Sequence, residues 1–283
     1  MENKCIYGKE IAERLDQRTI EFVEECRNKG RRIPKLVCIA IGDHPASVAY
    51  MKGLRKKCEK VKVELETVVL DASISDFELI RTIHGYNKMI SIDGILLQMP
   101  LPSHMNREKI VLEIDPLKDV DGLHPLNTGL FYQGQEAFVP CTALSAMEFI
   151  HESGMNLDGK EVVVVGRSNV IGRPVAQLCL NEHASVTVVH SKSLNIEKIC
   201  SHADVVIAAA GVPKMIKKNW LKKGAVVIDV GINYDENGKM CGDVDFDDVI
   251  DQVSKISPVP KGVGVVTNSM LMRNLIFAYQ RKG

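Results

Sequence analysis

The sequence predicts an α/β protein of two domains, and three observations predict it. Strand-length apolar segments alternate with helix-period segments from residue 35 to residue 99, the rhythm of a parallel sheet with crossover helices. That rhythm breaks over residues 115–141, which open with the turn formers of 115–125, and resumes at Lys160. Inside the second run an apolar strand enters a glycine-bounded turn and then a helix, the order on which dinucleotide-binding folds are built.

In chain order, residues 9–29 place Ile11, Leu15, Phe22 and Cys26 on one helical stripe. Residues 35–42 read as a strand, and a helix over 46–61 follows with Pro45 and Ser47 at its start. Residues 63–70 are strand-like, 76–89 helical, and 92–99 a strand. Residues 115–125 carry Asp115, Asp119 and Asp121 among turn formers and read as a loop. A helix over 143–153 leads to Gly154, a domain connector. In the second run strands are expected at 161–165, 185–189, 204–209 and 225–230. The run ends near Gly264, and residues 267–282 read as a last helix. There is no internal repeat and no low-complexity tract.

Composition narrows the function classes. The 283 residues are 45% hydrophobic and 25% charged, enough for two compact soluble domains. The 36 basic residues cancel the 36 acidic ones, and no long basic run is present, which argues against nucleic acid or an anionic membrane as partner. No apolar run approaches the roughly 20 residues that span a bilayer, and the start, Met-Glu-Asn-Lys-Cys, lacks the apolar core of a signal peptide. The eight cysteines stand singly, so neither a metal site nor a redox pair is expected, and most lie in apolar segments as buried free thiols do. These features predict a reduced, cytoplasmic protein.

Asp93-Gly-Ile-Leu-Leu-Gln-Met-Pro-Leu-Pro102 carries the first candidate site. Ile95, Leu96 and Leu97 form a buried strand, and Gln98 places an amide at its end. Pro100 and Pro102 then stop the ladder, since neither has an N–H to donate. Ligands of parallel α/β sheets bind beyond the carboxyl ends of the strands. Gln98 therefore reads either as a ligand contact or as a hydrogen-bonded strand exit.

The second site follows the strand 161–165. Gly166-Arg-Ser-Asn-Val-Ile-Gly172 joins it to a helix bearing Pro174 in its first turn. Glycine lets the backbone approach a pyrophosphate, and a helix N-terminus favours the anion. An NAD-preferring site usually places an acid after the next strand, about 20 residues on. Here the chain reads His190-Ser-Lys-Ser193, and Arg167 lies in the first turn. Arg167, Ser191 and Lys192 suit a 2′-phosphate, because guanidinium–phosphate bonds are charge-assisted. The expected cofactor is NADP. The loops at Gly211 and Gly231-Ile-Asn233 end two further strands and face the same ligand.

Together with Tyr50, Lys118-Asp-Val-Asp-Gly122, Pro140-Cys-Thr142 and Pro258-Val-Pro260 with Gly262-Val-Gly264, these motifs make the chain resemble the methylenetetrahydrofolate dehydrogenase/cyclohydrolase family over nearly its whole length. The resemblance implies a catalytic domain of residues 1–142 completed by 265–283, a Rossmann-type NADP domain of residues 143–264, and a folate cleft between them. It implies a homodimer acting on a tetrahydrofolate one-carbon substrate, in one-carbon metabolism and purine biosynthesis. By residue type alone Tyr50 reads as a core aromatic and Asp121 as a turn former before Gly122. The resemblance gives Tyr50 the aminobenzoyl part of folate, Gln98 the reacting centre and Asp121 the pterin, with Pro260 and Gly262 also on the substrate. It gives the cofactor Thr142, Gly166, Arg167, Ser168, Gly172, Ser191, Gly211 and Ile232.

Three segments depart from the family pattern. Residues 143–145 are Ala-Leu-Ser, residues 261–266 are Lys-Gly-Val-Gly-Val-Val, and Leu54 stands where the family has a lysine that assists water attack on the methenyl carbon. Leu54 can neither donate nor accept a proton, so a dehydrogenase with weak or absent cyclohydrolase activity is expected. Lys52 and Lys56 point about 160° away from position 54 around a helix, whereas Lys57 is about 60° off and about 4.5 Å along. Lys57 is thus the one candidate to restore the bifunctional activity. Two rivals are a non-catalytic NADP- or folate-binding paralogue and a dehydrogenase of small hydroxy or amino acids. The latter needs an acid/base beside its substrate, and the motifs offer no Lys–Asp pair for it.

Overall fold

A computed structural model of the chain describes residues 2–281. It comprises two compact units, one of Arg14–Val139 with Asn268–Gly283, the other of Met1–Glu13 with Pro140–Thr267. The division falls within the first helix, α1 (Gly8–Asn28). Ile11, Leu15 and Cys26 on its predicted stripe are buried, and the half-buried Phe22 meets Tyr279 edge to face at 5.7 Å.

In the first unit β1 (Lys35–Ile41), α2 (Pro45–Val61), β2 (Glu64–Leu70), α3 (Asp76–Lys88) and β3 (Gly94–Leu97) realise the alternation read from the sequence. The strands are parallel in the order β2-β1-β3, with Leu36 opposite both Leu65 and Gly94. All of β1 beyond Lys35 is buried, as a central parallel strand covered on both faces must be. Val37, Ile39, Ile95 and Leu97 share one apolar cluster with Leu79 and Ile83 of α3. Ser75 and Glu78 start α3 with reciprocal side-chain to backbone hydrogen bonds.

Beyond β3 come α4 (Arg107–Val111) and α5 (Pro125–Tyr132). The second of these corrects the sequence reading, in which residues 115–141 carried no helix. Its N-terminus is capped by His124, whose Nδ1 accepts the Leu126 N–H at 3.0 Å, and Pro125 fills its first turn. An imidazole cap is not among the Ser, Thr, Asp and Asn signals that mark a helix start.

The second unit holds α6 (Cys141–Glu152), β4 (Glu161–Val165), α7 (Gly172–Asn181), β5 (Ser185–Val189), α8 (Ile196–Cys200), β6 (Val205–Ala208), β7 (Val226–Asp229), the short hairpin β8 (Asn233–Tyr234) and β9 (Met240–Cys241), α9 (Phe246–Val249) and β10 (Lys255–Ser257). Its five-stranded parallel sheet runs β10-β7-β6-β4-β5. From β4 the chain goes outward to β5 and returns to β6 on the other side, so the strand order reverses beside β4. That reversal is where dinucleotides bind in such sheets. The final helix is α10 (Thr267–Gln280).

Residues 2–13 group by their contacts with the second α/β run. Cys5 forms a parallel bridge to Ile256, Ile6 N–H donates to the Ile256 carbonyl at 2.8 Å, and Gly8 N–H donates to the Lys261 carbonyl at 2.8 Å. The contacts at Ile256 cover the middle of the β10 edge, which would otherwise present unpaired backbone groups.

Gly94 lets β3 approach its neighbours closely. A Cβ there would lie 2.5 Å from Val120 Cγ1 and 2.8 Å from Leu275 Cδ1. Gly94→Ala is expected to destabilise the protein by about 1–3 kcal/mol through overpacking, read as a lowered urea midpoint with unchanged slope.

Candidate functional site

In the first unit, the three residues before Asp121 are each tied to a different helix. The buried Lys118 donates from Nζ to the carbonyls of Tyr86, Asn87 and Met89 at 2.9, 2.6 and 2.8 Å, closing the C-terminus of α3. Asp119, also buried, accepts the N–H groups of Leu123 and His124 at 3.1 and 2.8 Å and the Asn127 amide at 2.9 Å, at the start of α5. Burial pushes the Asp119 carboxyl above the usual carboxylate range, against the lowering effect of those donors. The Val120 carbonyl accepts from Asn274 of α10 at 2.8 Å. Asp121 follows, half-buried, before Gly122 in the left-handed region at φ 66°. The carboxylate is thus presented on a loop whose backbone is held from three sides. Sequence reasoning singled out Asp121 but missed Asn274, which carries no local signal.

The helix α2 brings Tyr50 and Leu54 to this unit. Tyr50 is 38% exposed, and Leu54 is fully buried. At the end of β3 Gln98 is 8% exposed, and its Nε2 donates to the Ser47 carbonyl of α2 at 3.0 Å. Its Oε1 is buried with no hydrogen-bond partner. Gln98 is therefore neither an ordinary strand exit nor fully satisfied: one half of the amide is anchored to the helix bearing Leu54, and the other half has no donor. The peptide bond Met99–Pro100 is cis.

Lys57, the candidate replacement, has its ammonium enclosed. Nζ donates to both carboxylate oxygens of Asp16 at 2.7 Å and to Ser269 Oγ at 2.9 Å. Three acceptors match the three donors of an ammonium group. Lys60 reaches the same carboxylate at 2.8 Å, and Ser269 Oγ donates to Asp16 Oδ1 at 2.9 Å. Asp16 thereby joins α1, α2 and α10.

In the second unit the turn after β4 has the shape expected of a pyrophosphate cradle. Gly166 adopts φ 126°, where an added Cβ would strike the Ala209 carbonyl, and a Cβ on Gly172 would strike the Gly166 carbonyl. Ser168 Oγ accepts the Ile171 N–H at 3.2 Å, which steadies the turn entering α7. Arg167, Ser168, Ser191 and Lys192 are exposed at the ends of β4 and β5, and no acidic residue stands there. Thr142 is half-buried in the first turn of α6, and Gly211 (φ 68°) and Ile232 are exposed beyond β6 and β7. Pro260 is exposed beside Lys261, which holds φ 81°. Gly262 is buried, with the Pro258 carbonyl in the space a Cβ would need. The cradle fits a nicotinamide dinucleotide.

Two acids missed by the sequence reading lie beneath the loops beyond β6 and β7. Asp229 and Asp243 are buried and accept backbone N–H groups from residues 210–212, 231, 243 and 244. Burial pushes the Asp229 carboxyl up to about 7, opposed by its backbone donors and reinforced by the charge of Asp243. An acid closing the apolar run Val-Val-Ile-Asp229 was the signal available. Seven of the eight cysteines are buried, and burial raises the Cys38, Cys58, Cys179 and Cys200 thiols to about 12, so they are poor nucleophiles. Among the described residues there is no cluster of three or more His, Cys, Asp or Glu able to hold a metal, and no helix is long and apolar enough to cross a membrane.

A parallel sheet with a reversed strand order, a glycine cradle at the reversal, and a second α/β unit bearing a tyrosine, an amide and a carboxylate define a two-domain dinucleotide-binding protein of the α/β class. Residues 6–121 match the catalytic domain, and residues 140–283 the NAD(P)-binding domain, of the tetrahydrofolate dehydrogenase/cyclohydrolase family. The chain belongs to that family. It is 47% identical over 265 residues to the bifunctional protein FolD of Streptococcus thermophilus, covering 94% of this chain and 93% of that one. Its fold superposes on the bifunctional FolD enzyme of Campylobacter jejuni with a TM-score of 0.94, at 38% identity and 98% coverage of both chains. The Trypanosoma brucei FolD, solved with NADP cofactor and inhibitor, matches with a TM-score of 0.91 at 37% identity, over 98% of this chain and 97% of that one.

The Asp16 cluster yields a prediction with a defined sign. Burial raises the Asp16 carboxyl, but the hydrogen bonds from Lys57, Lys60 and Ser269 outweigh it and hold the group below its ordinary value of 3.8. Its contribution to stability is therefore present above about pH 4 and lost as pH falls through the depressed value. Asp16→Asn is expected to cost about 3–5 kcal/mol at neutral pH, the range for breaking a buried ion pair. The acid limb of a melting-temperature profile should become shallower in this variant.

Proposed function

We propose that this protein oxidises 5,10-methylenetetrahydrofolate to 5,10-methenyltetrahydrofolate with NADP, and that hydrolysis of the methenyl product is weak or absent. The carrying observation is the state of two side chains, Leu54 and Gln98. Leu54, which the motif resemblance places at the family's lysine position, is a fully buried aliphatic side chain, and the buried Gln98 Oε1 is left without a donor. The enclosure of Lys57 by Asp16 and Ser269 supports the same reading, because its ammonium has no N–H left to offer and no lone pair.

Bound NADP supplies the hydride acceptor. The protein's task is to place the one-carbon bridge against it, and the product is a cation delocalised over N5, the carbon and N10. No side chain has to remove a proton from that carbon, so loss of the ammonium leaves hydride transfer intact. In this reading Tyr50 stacks on the aminobenzoyl ring, Asp121 accepts the pterin N–H groups, and Gln98, with Pro260 and Gly262, lines the reacting centre. Gly166, Ser168 and Gly172 take the pyrophosphate, Arg167 and Ser191 the 2′-phosphate, and Thr142, Gly211 and Ile232 the nicotinamide side. The enzyme works as a cytoplasmic homodimer in one-carbon metabolism, including purine biosynthesis.

A second reading is the full bifunctional activity that also makes 10-formyltetrahydrofolate, favoured by the bifunctional FolD relatives 45–47% identical to this chain. Hydrolysis of supplied methenyltetrahydrofolate separates the two. Under the first reading the wild-type rate stays near the uncatalysed background, and Leu54→Lys raises it by up to about 10²–10⁴-fold, the usual contribution of an acid–base group. Robust hydrolysis by the unaltered protein would establish the second.

Cofactor choice is tested separately. Arg167→Ala should raise the KM for NADP by about tenfold or more, the effect of losing a charge-assisted hydrogen bond, while the KM for NAD stays nearly constant. Equal effects on both cofactors would remove Arg167 from the 2′-phosphate.

A further inference from the structure

The ends of β6 and β7 carry loops that a dinucleotide must meet. With the pyrophosphate at the turn after β4 and the adenosine ribose at the end of β5, the other half of the molecule extends over β6 and β7. Three successive backbone N–H groups in the loop after β6 converge on one point, the arrangement that binds anions. The anion there is the protein's own. Asp243 Oδ2 accepts the N–H of Ala210 at 2.5 Å and of Gly211 at 3.0 Å, and Oδ1 accepts that of Val212 at 3.0 Å.

The same carboxylate reaches the loop after β7. Oδ1 also accepts from Asn233 Nδ2 at 2.8 Å, and a Cβ on Gly231 would collide with the Asp243 carboxylate. Asp243 is in turn held by Asp229, which accepts the N–H groups of Asp243 and Val244 at 3.1 and 3.0 Å and that of Gly231 at 3.0 Å. Asp243 has no exposed surface, so it cannot touch a ligand and acts only through the two loops.

We propose that Asp243 is a positioning residue of the dehydrogenase: its carboxylate fills the backbone nest at residues 210–212, denies that nest to a phosphate, and fixes both loops against which the nicotinamide half of the cofactor is placed. The proposal rests on the NADP reading above. It assigns phosphate recognition to the turn after β4 and to the end of β5, and shape recognition of the nicotinamide half to the loops that Asp243 holds.

Asp243→Asn tests it, because an amide keeps the size but turns N–H groups toward backbone N–H groups. Binding of NADP and of adenosine 2′,5′-bisphosphate, which has the 2′-phosphate but no nicotinamide, is measured by calorimetry well below the melting temperature. NADP should weaken by about tenfold or more, as for lost charged hydrogen bonds, while the bisphosphate binds as in wild type. A variant that melts earlier yet binds NADP normally overturns the proposal, and so does equal weakening of both ligands. Failure of the wild type to bind either ligand overturns the NADP reading itself. Should Asp243→Asn not fold, Asn233→Ala removes one of the four bonds. It should weaken NADP by about threefold or more with the bisphosphate unaffected; no change in NADP binding would count against the proposal.

Discussion

Backbone N–H groups that run past the carboxyl ends of parallel strands have no ladder partner, and each would be costly if buried alone. This protein satisfies them with buried carboxylates. Asp119 does so in the first unit, and Asp243 with Asp229 does so in the second. The irregular segments bearing Asp121, Gly211 and Gly231 consequently have fixed shapes without regular secondary structure. Every candidate ligand contact at those strand ends depends on this arrangement.

The buried cations obey the complementary rule. Lys118 sits among three carbonyl oxygens, and Lys57 among three oxygens of Asp16 and Ser269. A desolvated charge is tolerated when all its donors or acceptors are matched. Residues with such complete shells build the scaffold. Tyr50, Arg167 and Ser191 are exposed and Asp121 is half-buried. Gln98 belongs to neither group, with one end of its amide anchored and the other unmatched.

Under the proposed function, Leu54 separates two chemistries. Hydride transfer asks for placement and leaves a cation behind, whereas water attack on that cation asks for proton management. An aliphatic side chain completes the apolar face of α2 and serves the first requirement. It offers nothing to the second.

The alternation of strand and helix, the glycine turn after β4 and the missing acid after β5 were legible in the sequence, because each depends on local periodicity or on a backbone conformation reserved for glycine. Gln98, Asp121 and Leu54 were singled out as residue types at strand, loop and helix positions. The helix α5 was not, since its cap is a histidine. The pairing of residues 5–6 with β10 was not either, since it joins positions some 250 residues apart. Enclosure of Lys57 was decided by tertiary structure for the same reason: helical geometry placed it near Leu54, but only the packing of α1 and α10 onto α2 brought Asp16 and Ser269 to its ammonium. Asp243 is the clearest case. Its role rests on three backbone N–H groups more than thirty residues away, and backbone groups leave no trace in the identity of the residues that carry them.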